Sequence, residues 1–157
     1  MSDDPPLFRF FTEIGIIDQL AGTLLERVLP AGLTRAQFGV LNHFVRLEPG
    51  DVSPARLAEA FQVTRPTMTS TLQRLERAGL VAIRPDPADG RGRLVSITPA
   101  GRAARAASIA ALAPLLPQLA AIVTPEDLEA LLPRLTRIRQ ALDASRNLGT
   151  HQRAVED

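Results

Sequence analysis

Five times in this chain a hydroxyl residue stands where a helix would begin. Thr34 has Gln37 three positions on, the arrangement in which each side chain reaches the other residue's backbone N–H. Ser53-Pro54, Thr98-Pro99 and Thr124-Pro125 each place a hydroxyl cap before a proline, whose fixed φ and missing N–H suit the first helical position. Thr64 opens a fifth, with Pro66 still inside the first turn. Each cap satisfies N–H groups that a helix start leaves without partners, so the chain reads as a succession of discrete helices.

The stops agree with the starts. Pro30-Ala31-Gly32, Glu48-Pro49-Gly50 and Gly79 follow apolar-periodic stretches, and a polar run from Arg146 to Asp157 closes the sequence. One region reads as strand: "LVAIR" and "RLVSIT" flank "PDPADGRG", which predicts a short hairpin with a long turn. The expected order is helix 7–29, helix 34–47, helix 54–60, helix 64–78, hairpin 80–97, helix 99–122 and helix 125–146. Pro114 and Pro117 fall inside the sixth of these elements and Pro133 inside the last; each should kink its helix or move a boundary. The expected fold class is mainly α with a small β-hairpin, in a single domain spanning 1–157.

Composition removes several classes of chemistry. The chain has no cysteine, tryptophan or tyrosine, so it has no disulfide, no thiol switch and no Cys-based metal site. His43 and His151 stand far apart without a ligand-spaced partner, and neither a Gly-rich phosphate loop nor a nucleophile elbow is present. The sequence therefore predicts no enzyme, no metal and no cofactor. No apolar run is seen to approach the roughly 20 residues of a membrane span, and "MSDDPPLF" is acidic where a secretory signal is basic, so no membrane partner and a cytoplasmic location are expected.

Net charge is only +1, but it is unevenly placed: −2 over 1–50, +4 over 51–105 and −1 over 106–157. All 18 basic residues are arginine. The basic middle third contains "VTRPTMTSTLQRL", Val63 to Leu75, with five hydroxyl side chains at Thr64, Thr67, Thr69, Ser70 and Thr71. Serine and threonine are mediocre helix formers, yet the apolar spacing here is helical. On a wheel of about 100° per residue, Met68, Leu72, Leu75 and Gly79 share one side. Opposite lie Pro66, Thr67, Ser70, Gln73, Arg74 and Arg77.

The preceding "SPARLAEAFQV" supplies a short helix with Leu57, Ala58 and Phe61 on its apolar face and a tight connection. Two short helices joined so closely predict a helix-turn-helix with 64–78 as its recognition helix. Small donors reach bases and phosphates at close range, while arginines reach the flanking backbone. In the hairpin, Arg91 and Arg93 lie near the turn with Asp86 and Asp89 beside them. A carboxylate two residues away should hold the Arg91 guanidinium in one direction, suited to a narrow A·T-rich minor groove. The expected DNA-binding residues are Thr64, Arg65, Pro66, Thr67, Thr69, Ser70, Arg74, Arg77, Asp89, Arg91 and Arg93.

Residues 53–104, "SPARLAEAFQVTRPTMTSTLQRLERAGLVAIRPDPADGRGRLVSITPAGRAA", resemble the winged helix-turn-helix of MarR-type transcription regulators. The shared features are the Leu75…Gly79-Leu80 helix exit, the Asp86…Asp89-Gly90-Arg91 wing and the Thr98-Pro99…Gly101 helix start. The resemblance implies a homodimer on a pseudo-palindromic operator, acting as a repressor released by a small effector, by the same resemblance an apolar or aromatic anion. It aligns Arg65, Pro66, Thr67, Thr69 and Arg74 with recognition-helix positions and Arg91 with the wing arginine. Ser70 departs from the pattern, since relatives often carry a basic residue there.

Residues 34–98 then form the DNA-binding region, and 7–30 with 99–146 a helical dimerisation region. Phe10, Ile14 and Ile17 on the first helix, and Leu128, Leu131, Leu135, Ile138 and Leu142 on the last, recur by threes and fours and are the expected dimer interface. The first helix carries further apolar residues, Phe8, Phe11, Ile16 and Leu20 among them, outside that seam. His43 reads first as a packing or hydrogen-bonding residue and only second as an effector contact. The competing function is a winged helix used for protein–protein assembly without specific DNA binding; the outward arginines argue against it.

Overall fold

The computed structural model describes residues 4–145. The expected helix end at 146, the polar tail with His151, and Met1 lie outside the described residues. The elements are α1 (Pro6–Val28), α2 (Arg35–Leu47), α3 (Pro54–Ala60), α4 (Arg65–Arg77), β1 (Val81–Asp86), β2 (Asp89–Ile97), α5 (Pro99–Ala110), a 3-10 turn (Ala113–Leu115), α6 (Leu116–Ala120) and α7 (Pro125–Ser145). The mainly helical class with one antiparallel hairpin is as the sequence predicts.

Every predicted cap is made. Thr34 Oγ1 accepts from the Gln37 N–H at 3.3 Å while Gln37 Oε1 accepts from the Thr34 N–H at 2.8 Å. Ser53, Thr64 and Thr98 accept from the N–H groups of Arg56, Thr67 and Gly101. At α7, Thr124 accepts from the Asp127 N–H and donates both its N–H and its hydroxyl to the Asp127 carboxylate. Those bonds stabilise the ionised carboxylate, the backbone one most, and hold its pKa below the usual 3.8.

The chain forms two compact units, Met1–Ala113 and Pro114–Asp157. In the first, Val40, Leu41 and Phe44 of α2, Leu57 and Ala58 of α3, Met68, Leu72 and Leu75 of α4, Val81 of β1 and Val95 of β2 form one buried cluster. The inward side of the predicted recognition helix is thus confirmed for Met68, Leu72 and Leu75. Gly79, in the left-handed region at φ 70, stays exposed at the helix exit. Its carbonyl accepts from the Thr98 hydroxyl at 2.7 Å, and Leu80 C=O accepts from the Thr98 N–H at 3.2 Å, so α4's exit and α5's start are tied together. Gly101 makes this possible: a Cβ there would lie 2.1 Å from the Leu80 carbonyl oxygen.

Two sequence expectations are corrected. Helix 99–122 is not continuous, because α5 ends at Ala110 and the chain turns before α6. Pro114 lacks the N–H that would bond the Ala110 carbonyl, and Pro117 instead sits in the first turn of α6, where no donor is needed. Pro133, by contrast, lies inside an α7 that runs on through it. The hairpin turn is also shorter than expected. Pairing reaches Asp86 opposite Asp89, leaving Pro87 and Ala88 at the tip.

Residues 99–120 have the length and mean hydropathy of a membrane span, contrary to the expectation that no run approaches one. Within that stretch the helix is broken, and α5 packs on α2, with Arg105 donating twice to Asn42 Oδ1 at 3.2 and 3.3 Å and Ser108 fully buried.

Candidate nucleic-acid interface

Between α3 and α4 the chain turns through Phe61 to Thr64. Val63 N–H donates to the Ala58 carbonyl at 3.1 Å, and Gln62 takes φ 54 to close the bend. This is the helix-turn-helix that the spacing predicts. With Met68, Leu72 and Leu75 inward, Arg65, Pro66, Thr67, Thr69, Ser70, Gln73, Arg74 and Arg77 are all exposed.

The hydroxyl residues divide by task. Thr64 caps the helix and shares a 2.8 Å hydrogen bond with Thr67 Oγ1; Thr71 donates to the Thr67 carbonyl at 3.1 Å and is half-buried. Thr67, Thr69 and Ser70 present the accessible hydroxyl surface. Thr64 therefore shapes the helix start as well as flanking the exposed face.

The hairpin places its arginines by a device the sequence reading missed. Pro85 pairs with Arg93 and Asp86 with Asp89, so Gly90, Arg91 and Gly92 form a bulge with no opposite partner. A bulge bends its strand and re-aims the side chains at it. Gly92 fits because a Cβ there would approach Asp86 Cβ to 3.0 Å. The expected aiming of Arg91 by a carboxylate is corrected in its mechanism. Asp89 Oδ1 accepts from the Arg91 backbone N–H at 3.0 Å, and Asp86 Oδ1 from the Ala88 N–H at 2.9 Å. These side chains fix the loop backbone, and Asp89, Arg91 and Arg93 remain exposed.

Two open clefts join predicted residues to new ones. One, of about 330 Å³, lies between α3, α4 and the hairpin, where Thr69 and Gln73 meet Arg93 over Leu72 and Ile83. The other, about 470 Å³, brings Arg74 and Arg77 beside Thr34 and Gln37 at the start of α2. The wing is braced from below: Val52 and Val95 exchange both backbone hydrogen bonds, at 3.0 and 2.9 Å, and Arg84 pairs with Asp51. Neither brace carries a local signal, since both depend on a strand-like contact distant in sequence.

Residues 31–92 match the sequence profile of the MarR family. The transcriptional activatory protein BadR of Rhodopseudomonas palustris is 36% identical over 94 residues, 59% of this chain and 54% of BadR, so the match spans about half the length of that relative. The HTH-type transcriptional repressor Rv2887 of Mycobacterium tuberculosis is 33% identical over 103 residues, 66% of this chain and 71% of that one. The chain belongs to the MarR family.

Among solved structures similar to this MarR-family chain is a cysteine-to-serine mutant of MarR from E. coli complexed with operator DNA. It is 27% identical with a TM-score of 0.68, the match covering 84% of this chain and 94% of that one. The MarR family is one of DNA-binding transcription regulators. Among the chain's described residues no cluster of three or more metal-ligating side chains occurs.

The remaining predicted residues fall into two groups, each described within its own unit. Phe10 and Ile17 on α1 and Leu128, Leu131, Leu135 and Leu142 on α7 are exposed, with Ile14 and Ile138 half-buried. His43 of α2 is half-buried, its ring 5.4 Å from Phe61 and 6.1 Å from Phe44. Burial, and secondarily the Arg46 charge, lowers its pKa from 6.5.

Proposed function

We propose that this MarR-family chain is a homodimeric repressor acting in the cytoplasm on a pseudo-palindromic operator. Each α4 enters a major groove and each wing reaches the flanking minor groove. The observation that supports this best is the division of one face between accessible hydroxyls and arginines on α4 and a bulge-mounted Arg91 in the wing. Thr67, Thr69, Ser70 and Arg65 are assigned to base edges, with Arg74, Arg77 and Arg93 on phosphates. Asp89 acts indirectly, by holding the loop that carries Arg91.

The large apolar residues exposed on α1 and on α7 support the homodimer, because extended apolar surface on a folded chain marks an interaction site. Release is assigned to a small apolar or aromatic anion bound where the first, second and fifth helices meet the winged region. Repression is chosen over activation although one relative is named a repressor and another an activatory protein.

Selection of bound sequences from a random DNA pool tests the reading. An inverted repeat with half-sites about one helical turn apart is expected, with affinity falling steeply as salt rises. Binding without sequence preference, or no binding, would favour the protein-assembly function instead. A ligand screen on the selected site then tests release.

A further inference from the structure

Arg35 is oddly placed. It is the first residue of α2, where the positive end of the helix dipole disfavours a cation, and that first turn holds no acidic residue to compensate. Its side chain leaves the helix and crosses to α1. There Nη2 meets Asp18 Oδ1 at 2.5 Å, and the guanidinium lies in the space above Gly22, one turn further along. A Cβ on Gly22 would be 2.2 Å from Nη1 and 2.5 Å from Cζ. Gly22 alone of α1's described residues is buried. The other end of the contact is equally fixed, because Arg35 follows Thr34 of the reciprocal cap and Gln37 of that cap is buried.

From this we infer that Asp18, Gly22 and Arg35 form a latch that sets the angle of α1 on the winged unit. All three are positioning residues for DNA binding. The inference rests on the homodimer reading above: if α1 joins two copies, its angle on α2 decides how far apart the two α4 helices lie. The latch would then select the spacing between half-sites without touching DNA. A carboxylate and a glycine four residues apart on one helix accept a planar guanidinium as a lysine ammonium would not be held, since only the flat fork fills the notch and pairs at its edge.

The test uses the whole 157-residue chain, which has no cysteine. A spin label at Glu76→Cys, exposed on α4 and outside the assigned contacts, reports the distance between the two recognition helices in the DNA-free homodimer. Gly22→Ala and Asp18→Asn should both remain dimeric by sedimentation. Each should shift or broaden that distance and weaken binding to the parent's preferred half-site spacing, by roughly fivefold for Asp18→Asn, the upper end for an exposed ion pair. Preference within a half-site should not change. Asp18→Arg combined with Arg35→Asp should recover part of the loss. Variants that stay dimeric with the parent's distance and spacing preference overturn the latch alone, as do variants that become monomeric, which would make the contact one of assembly. A parent that is itself monomeric overturns the homodimer reading and the latch together.

Discussion

α4 and α7 are both amphipathic helices, and the protein treats their apolar sides in opposite ways. Met68, Leu72 and Leu75 of α4 are at most 3% exposed, whereas Leu128, Leu131 and Leu135 of α7 are 39–47% exposed. Helical periodicity is legible in both, but only α4 finds its partners, α2, α3 and the hairpin, within its own compact unit. The winged region buries its core within one chain. In the proposed homodimer the apolar surfaces of α7 and α1 are covered by a second chain, so their contribution should depend on protein concentration while that of α4 should not.

The largest effect should come from the complete side of this contrast. Leu72→Ala removes a side chain 1% exposed at the centre of the winged core and should lower unfolding stability by about 2–5 kcal/mol. Denaturant unfolding at widely different protein concentrations should give the same loss. A loss well below 1 kcal/mol would mean that the packing around α4 is looser than its burial indicates.

Leu135→Asp and Ile17→Asp probe the other side. Each should weaken the homodimer by about 2 kcal/mol or more, the scale of burying an unpaired polar group, and DNA affinity should fall with it. Their effect should vanish in a dilute monomer. If both variants sediment as dimers and bind DNA as the parent does, these helices are not the interface.

The same contrast explains what the sequence revealed. Caps are local, so Thr34, Ser53, Thr64, Thr98 and Thr124 could be read from spacing alone. The exposed face of α4 follows from its buried face by periodicity. What escaped depends on residues far apart: the Val52–Val95 bridge, the Asp51–Arg84 pair and the Arg35 side chain over Gly22. The bulge at Gly90–Gly92 escaped for a different reason, since a Gly-rich turn and a bulged strand present the same residues and only the register separates them. The break after Ala110 was signalled by two prolines, but their position alone did not decide between a kink and a stop.

Within the DNA face, helix and wing should separate as cleanly as core and flank do. Thr67→Ala or Arg65→Ala should cost on the order of 1–3 kcal/mol at a contacted base pair if a bidentate contact is lost, and should change half-site preference. Arg91→Ala should leave that preference intact while lowering the salt slope and relaxing any A·T preference in the flanks. Selection experiments on both variants read the two effects independently. A wing variant that alters half-site preference, or recognition-helix variants that bind normally, would dissolve the assignment.

The smallest effect belongs to the winged core's one displaced titration. His43 sits against Phe44 and Phe61, and its pKa is lowered from 6.5 first by burial and then by Arg46. The folded state thus favours the neutral ring, and the unfolded chain binds the proton more readily. The stability contributed is present above pH 6.5 and is lost as pH falls through the lowered folded value. Thermal stability of the parent should therefore fall on acidification below pH 6.5, and part of that fall should be missing in His43→Gln. The depressed Asp127 carboxylate adds its own acid response: its contribution is present above 3.8 and lost as pH falls through its lowered folded value. Because His43 packs inside the first unit, the effect should be independent of protein concentration. A slope that is unchanged in His43→Gln would remove the histidine from the acid response, and one that grows with dilution would place its origin in the homodimer instead.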